Sequence, residues 1–453
     1  MRETAAVQVI NSVIWMANRL SDRGVDTGLG LLEELAPSPF ARRQVAAVHR
    51  HWRGETPGSY TLFRRVLREV DPACQRRLAT NLVVKHHWLG GSTRTALRQN
   101  GVVVPFTTLI SPTMRCNLTC AGCYAGEYNQ QDDLPAGVFD RVLREGKKLG
   151  VYMAVILGGE PFVYKPLLEL FAAHSDVAFM VFTNGATITR QLAQRLLELG
   201  NVVPIVSLEG FEAETDARRG KDTFQRVMRA MDVLRDYRLP FGFSSMVTSQ
   251  NVKTVVSDEF NDMLVRKGCL LGWHFLYMPV GREPDPSLMP TPQQREMLRT
   301  HGAARIRTTK PLFVADFWND APWVGGCIAG GRQYVHVNSR GDVEPCIFNH
   351  FAVDNVKEKS LVDCLQSDFF KAIQARQPYH SNLLRPCMMI DHPQVFREIY
   401  QQYQPRPTHP GAEELVGSLA PILDEYSKEA GAVLDRAWEE EFERKGFTVP
   451  VGR

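Results

Sequence analysis

The chain has 453 residues, 44% hydrophobic and 23% charged, and its 53 basic against 50 acidic side chains leave a formal charge of +3. This is ordinary globular usage at a length of about two to three domains, which excludes a disordered, collagen-like or low-complexity chain. No run approaches about 18 uninterrupted apolar residues, so no spanning helix is expected, and no cleavage pattern follows the apolar N-terminal stretches, so a cytoplasmic location is expected.

The first stretch, 1–101, reads as a helical N-terminal extension. Ala6, Val9, Ile10, Val13, Ile14, Ala17 and Leu20 follow helical spacing. Further helices are expected over Ala41–Trp52, Tyr60–Val70 and Cys74–Trp88, separated by prolines. Residues 1–100 carry 15 basic and 8 acidic groups; such a charge run is first a solvated face, and secondly a surface for anionic lipid or nucleic acid. Trp15 and the nearby arginines make peripheral membrane contact a second reading of the first helix. His86-His87, with His49 and His51 upstream, are a minor metal-binding candidate, because further ligands are lacking.

From Val102 the pattern becomes short apolar strands alternating with helices. Strands are expected at Val102–Ile110, Val151–Leu157, Ala178–Phe182, Val202–Ser207, Phe241–Val247 and Trp273–Met278. Between them lie helices near Ala136–Leu149, Pro166–His174, Thr189–Leu199, Thr223–Tyr237 and Ser257–Lys267, and another starts at Thr291. Six such units within 102–308 predict an α/β fold with a parallel sheet and helices packed outside. Periodicity does not say whether the sheet curls into a partial barrel; in barrels the chemistry sits at the C-terminal strand ends. After Lys310 the pattern dissolves into an irregular Cys-containing segment, 309–408. Residues 409–453 form an acidic tail with 10 acidic groups from Glu413 onward, expected as a helix over Glu413–Arg444.

Nine cysteines, an odd count without a recognisable secretory signal, argue against a disulfide framework. Three crowd together as Cys116-x3-Cys120-x2-Cys123 in the loop after the first strand. Three thiolates can hold three irons of a cubane cluster and leave the fourth open. A zinc site needs a fourth ligand nearby, and neither Cys nor His follows within the next fifty residues. The second strand ends in Gly158-Gly159-Glu160-Pro161, the third in Thr183-Asn184-Gly185, and the fourth in Ser207-Leu208-Glu209-Gly210 with Arg218 and Arg219 beyond.

Over residues 103–305 this combination resembles the radical S-adenosylmethionine superfamily, whose core is a partial (β/α)6 barrel. The resemblance implies a 4Fe–4S cluster on Cys116, Cys120 and Cys123, with S-adenosylmethionine chelated to the open iron. It implies contacts to that cofactor from Gly158, Gly159, Glu160, Asn184, Ser207, Glu209, Arg218 and Arg219. Glycines at 158 and 159 leave room for close backbone approach, and an arginine suits the methionine carboxylate. The position before the third cysteine is commonly aromatic in the superfamily but is Gly122 here; Tyr124 is the candidate to supply the ring.

A second group, Gly325-Gly326-Cys327 and Gly341-Asp342-Val343-Glu344-Pro345-Cys346, resembles the opening of the SPASM or twitch auxiliary-cluster domain. Only Cys364 and Cys387 remain downstream. The thiols therefore suffice for at most one auxiliary cluster, on Cys327, Cys346 and Cys387, with Cys364, Asp391, His392 or nothing as fourth ligand. Cys364, Cys74 and Cys269 lie in helical contexts that suit buried free thiols.

The implied activity is reductive cleavage of S-adenosylmethionine to a 5′-deoxyadenosyl radical that abstracts hydrogen from a substrate, with electrons from a flavodoxin- or ferredoxin-like donor. Peptide or peptide-derived cofactor maturation is the first substrate reading, and a lipid or other apolar substrate the second. A non-catalytic electron-transfer protein leaves the strand-end motifs without a use, as does a zinc-binding nucleic-acid module.

Overall fold

The computed structural model describes residues 4, 7–8, 10–11, 14–15, 22–36, 39–54, 57–129 and 131–448. The six expected strands are present as β1 (Thr107–Ile110), β2 (Met153–Ile156), β3 (Ala178–Thr183), β4 (Val202–Ser207), β5 (Gly242–Val247) and β6 (Leu271–Leu276). Each pairs in parallel with the next. β1 is shorter than expected because Pro105 has no N–H for a ladder.

Helices over Ala136–Lys148, Leu167–Ala173, Arg190–Leu199, Thr223–Asp236 and Asp258–Lys267 join the strands. Their ends follow local chemistry. The Thr189 hydroxyl accepts from Leu192 N at 3.1 Å and Gly200 closes the same helix at φ 67°. Thr291 and Gln294 form a reciprocal capping box at the start of Pro292–His301.

The segment beyond Lys310 extends this sheet instead of leaving it. β7 (Phe313–Asp316) pairs in parallel with β6. At the opposite side β8 (Tyr334–Val337) pairs in parallel with β1, and β9 (Val343–Glu344) pairs antiparallel with β8. The sheet thus has nine strands in the order β7-β6-β5-β4-β3-β2-β1-β8-β9. These added strands are two to four residues long, so their own periodicity is too brief to announce them; pairing with an existing edge makes them strands.

Alternate residues of the strands face a common interior. Thr107 and Leu109 of β1, Met153 and Val155 of β2, Met180 and Phe182 of β3, Ser207 of β4, Ser244 and Met246 of β5, and Trp273 and Phe275 of β6 line one cavity with Tyr334 of β8. A flat sheet cannot bring both outer regions to one cavity, so the sheet is curled into a partial barrel. The intervening residues, such as Ile156, Val181, Val206 and Phe243, are fully buried against the helices.

The N-terminal helices include Asp22–Leu35, Pro39–Trp52 and Pro57–Glu69. Cys74–Trp88 is found as a helix over Pro72–Ala79 continued by a wider π-helical stretch, Thr80–Leu89. Of the expected first helix, Val7, Gln8, Ile10, Asn11, Ile14 and Trp15 are helical, and its other residues lie outside the described ones. Ile10 and Ile14 are buried with Val25, Leu29, Trp52 and Trp88 in a small core of their own. Arg65 ties these helices to the barrel by donating to the carbonyls of Cys269 (2.9 Å) and Pro311 (2.8 Å).

The C-terminal helix runs over Ala420–Trp438 and is preceded by a short 3-10 turn, Ala412–Leu415. The break in the expected Glu413–Arg444 helix follows from Pro421, which lacks an N–H and sits in the first helical turn. Among the described residues no helix is long and apolar enough to cross a membrane.

Candidate functional site

The first cysteine set sits in the loop that leaves β1. An Arg115–Asp133 ion pair at 2.6 Å and the Leu134 N–H to Pro112 carbonyl bond (2.8 Å) close the base of that loop. Ala121 N donates to the Arg218 carbonyl (2.9 Å) and Arg282 N to the Cys123 carbonyl (3.0 Å), which ties the loop to the ends of β4 and β6. Cys116, Cys120 and Cys123 all line the cavity, which has a volume of about 340 Å³. Burial pushes the Cys123 thiol above its ordinary range.

Gly158 and Gly159 lie against this loop, and their lack of side chains has a reason beyond cofactor access. Gly159 N donates to the Thr113 carbonyl (3.0 Å) and Glu160 N to the Arg115 carbonyl (2.8 Å). A Cβ on Gly159 would stand 2.2 Å from the Arg115 oxygen, and one on Gly158 (φ 111°) 2.6 Å from the Thr113 oxygen. The two loops are in backbone-to-backbone contact. Gly122 makes room as well: a Cβ there would meet the Tyr277 ring at 2.6 Å. Tyr124 lines the cavity and its Oη accepts from Gly158 N at 3.2 Å.

The predicted cofactor contacts divide into two groups. Gly158, Gly159, Asn184, Ser207, Arg218 and Arg219 line the cavity. Asn184 Nδ2 donates to Asn117 Oδ1 (2.6 Å) and lies 3.7 Å from the Cys116 sulfur. Ser207 and Ser244, paired in register across β4 and β5, place their hydroxyls 3.1 Å apart.

Glu160 and Glu209 lie behind the wall and are taken up by the chain itself. The Glu160 carboxylate accepts from the Thr183 hydroxyl (2.8 Å), Asn184 N (2.8 Å) and Phe162 N (3.2 Å), so it shapes the turn that carries Asn184. Glu209 is paired with Arg218 at 2.7 Å and Arg219 at 2.6 Å and also accepts from Met246 N. Burial alone would raise the Glu209 carboxyl, but the two guanidinium groups hold it below the usual carboxylate range.

The second cysteine set faces the same cavity. Cys327, Cys346 and Cys387 line it with Ile328, Phe348 and Met389. Arg332 donates to the carbonyls of Cys327, Val324 and Gly326 at 2.7–2.9 Å, and Gly330 N donates to the Pro345 carbonyl at 2.7 Å. These bonds hold the turns of Cys327 and Cys346 together. Burial pushes the Cys327 thiol to about 12, so loading of metal there must release protons.

None of the fourth-ligand candidates joins this set. Cys364 is fully buried on Leu361–Leu365 and does not line the cavity. Asp391 is ion-paired with Arg295, and His392 Nε2 is 3.0 Å from the Arg385 carbonyl. Cys74 and Cys269 are also fully buried. His86 accepts from Tyr152 N, and His49 is paired with Asp26 and Glu33. Among the described residues no group of three His, Cys, Asp or Glu side chains is placed to hold a single metal ion. Two sets of three thiols lining one cavity suit, by donor type, polynuclear iron–sulfur clusters better than a single ion.

Sequence reasoning missed the rest of the lining. Phe182, Trp273, Phe275, Phe317, Met180 and Met246 form an aromatic and thioether wall, and among the described residues no Asp or Glu lines the cavity. The two-residue alternation in Trp273–Phe275 and Met180–Phe182 was the available signal. Arg282, which donates to the Gly126 carbonyl at 3.3 Å, is a third cation at the cavity.

Residues 110–257 match the family described as Radical SAM superfamily, and residues 327–388 match SPASM, an iron–sulfur cluster-binding domain. The chain is 31% identical over 266 residues to the mycofactocin maturase MftC of Mycolicibacterium smegmatis, covering 55% of this chain and 66% of that protein. It is 30% identical over 279 residues to the MftC of Mycobacterium tuberculosis, covering 57% and 69%. The structure of Streptococcus suis SuiB bound to S-adenosylmethionine superposes with a TM-score of 0.55 at 19% identity, over 81% of this chain and 85% of that one. SuiB bound to its precursor peptide SuiA gives the same TM-score over 70% and 76%. The curled parallel sheet, the cysteine loop at the end of β1 and these matches together show that the chain belongs to the radical S-adenosylmethionine superfamily, enzymes that work on a 4Fe–4S cluster and S-adenosylmethionine, and that it carries a SPASM iron–sulfur domain after the core.

Proposed function

We propose that this enzyme modifies a peptide, or a cofactor precursor derived from one, at an apolar side chain inserted between the two cysteine sets. The observation that supports this reading is the single cavity that both sets share, walled by Trp273, Phe275, Phe182 and Met246. Apolar walls with a few convergent polar groups are the usual build of a site that takes an organic ligand. SuiB, of similar fold, has been solved with a precursor peptide, and the MftC relatives are maturases.

The roles of the residues follow from their positions. Cys116, Cys120 and Cys123 hold the first cluster, and Cys327, Cys346 and Cys387 hold the auxiliary one. The first cluster with S-adenosylmethionine, when bound, supplies the electron that yields the 5′-deoxyadenosyl radical for hydrogen abstraction. Arg218 and Arg219, oriented by Glu209, meet the cofactor carboxylate. Asn184 and Ser207 offer an amide and a hydroxyl for its ribose, and Tyr124 a ring beside Gly158. The barrel wall orients the substrate and keeps water from the radical. The electron donor in this reading is a flavodoxin- or ferredoxin-like protein, and the class of the reaction is oxidoreductase or transferase-like.

Anaerobic reconstitution followed by dithionite and S-adenosylmethionine tests the reading. The expected result is about four irons per cluster and release of 5′-deoxyadenosine, increased by a peptide fraction of the source cells and not by their lipid extract. An increase with lipid extract alone, together with flotation of the protein on liposomes, would move the assignment to a lipid substrate. The burial of Ile10 and Ile14 in the N-terminal core favours a packing role for the first helix.

A further inference from the structure

We infer that Tyr334 is the hydrogen-bond donor that sets the reduction potential of the auxiliary cluster, through the sulfur of Cys346. Its phenol oxygen lies 2.9 Å from Cys346 Sγ. The other contacts to candidate ligand sulfurs are longer: Phe348 N to Cys346 at 3.5 Å, Met389 N to Cys387 at 3.4 Å, and Asn184 Nδ2 to Cys116 at 3.7 Å.

The placement of Tyr334 is rigid. It is the first residue of β8, in register with Thr107 of β1, and only 8% exposed. Gly331 N also donates to its carbonyl at 3.0 Å. Tyr334 lines the cavity and its hydroxyl touches the ligand sulfur, so the same side chain borders both substrate space and the cluster site. A phenol titrates at about 10 and stays a donor at neutral pH. A hydrogen bond to a ligating thiolate withdraws charge from the cluster and stabilises its reduced form more than its oxidised form. Tyr334 is thus a positioning and tuning residue that makes the auxiliary cluster the better electron acceptor.

This inference rests on the assignment of Cys327, Cys346 and Cys387 to an auxiliary cluster, and the test separates the two. The full-length Cys116→Ala/Cys120→Ala/Cys123→Ala protein is reconstituted anaerobically, and its iron content, electron paramagnetic resonance spectrum and reduction potential are measured with and without Tyr334→Phe. The parent is expected to hold about four irons. Tyr334→Phe is expected to hold the same iron, with the reduced-to-oxidised ratio at fixed potential lowered about tenfold, equal to about 59 mV for one electron. Tyr379→Phe is the control, because that phenol donates to Met388 Sδ at 3.3 Å and not to a cysteine; its potential should stay at the parent value.

An unchanged potential and spectrum in Tyr334→Phe would overturn the inference while leaving the cluster in place. Loss of iron in Tyr334→Phe would overturn it as well, by making the phenol a ligand. A parent protein without iron would remove the auxiliary cluster itself, and the inference with it.

Discussion

Arg295, on the helix Pro292–His301, places Nη1 2.6 Å from Oδ1 of Asp391, and the other oxygen of Asp391 accepts from the backbone N of Cys387 at 3.0 Å. The two side chains are 3% and 0% exposed. One ion pair therefore connects a helix of the barrel to a cysteine of the second set. The C-terminal helix joins through the Ser427 hydroxyl, which donates to the Asp391 carbonyl at 2.5 Å. Arg295→Met leaves a buried carboxylate without its counter-charge and should cost about 3–5 kcal/mol. Adding Asp391→Leu should restore much of that stability but not the second cluster, because the acceptor for Cys387 N is gone. Urea unfolding and iron counts on the single and double variants check both halves; full iron in the double variant would show that Asp391 does not position Cys387.

The contact between the cysteine loop and the Gly158–Gly159 turn makes a sharp steric prediction. Gly159→Ala puts a methyl 2.2 Å from the Arg115 oxygen. It should displace the loop and lower the iron held by the first set, at a cost on the order of that of an overpacked core, about 1–3 kcal/mol. Gly137→Ala is the matched control, since nothing lies within 4 Å of its Cβ in the helix Ala136–Lys148. That change should stabilise the protein by about 0.4–1 kcal/mol. Thermal midpoints and iron content of the two variants, measured side by side, decide it.

Glu209→Gln tests the arrangement of Arg218 and Arg219. The carboxylate holds both guanidinium groups and accepts from Met246 N. An amide of the same shape would present an N–H to one of these donors. The affinity for S-adenosylmethionine should fall about tenfold, a change of about 1.4 kcal/mol, while the helical circular dichroism stays the same. Equilibrium binding to the reconstituted protein reads this directly, and an unchanged affinity would remove Glu209 from any positioning role.

Two buried histidines should make the fold sensitive to acid. Burial lowers His274 to about 4 and His86 to about 2. A histidine held neutral in the folded state adds stability that is complete above its unfolded value, about 6.5, and is lost as pH falls toward the folded value. The slope is about 1.4 kcal/mol per pH unit for each such group. Neither ring nitrogen of His274 has a hydrogen-bond partner among the described residues, so His274→Leu should remove one group's share of the loss between pH 6.5 and 5, about 1.5 kcal/mol. Urea midpoints at those two pH values give the answer; an unchanged slope would mean that His274 is not held neutral by burial.

The local readings that succeeded share one cause. β4 and the helix Thr223–Asp236 could be located because their apolar periodicity and end residues are properties of a few neighbouring positions. The motifs at the strand ends were legible for the same reason, since each is a few contiguous residues, although the steric need for glycine at 158 and 159 comes from the Thr113 and Arg115 carbonyls of another loop. The roles of Glu160 and Glu209 were less legible. A carboxylate beside a glycine turn reads equally well as a ligand contact or as a brace, and only the partners of its oxygens distinguish these. The apolar wall was present as alternation in Trp273 and Phe275, yet alternation does not say which face of a parallel sheet is curled inward.

By itself, then, the amino-acid sequence determined the cysteine loop, the six strand–helix units and the family to which they point, because each is written in contiguous residues. Tertiary structure alone decided that β8 closes onto β1 and brings Cys327, Cys346 and Cys387 to the cavity of Cys116, Cys120 and Cys123. It also decided that Cys364 stays away from that cavity, that Asp391 is spent on Arg295, and that the phenol of Tyr334 reaches a cysteine sulfur twelve residues along. Those relationships depend on how a curled sheet stacks distant segments, and spacing along the chain carries no record of that.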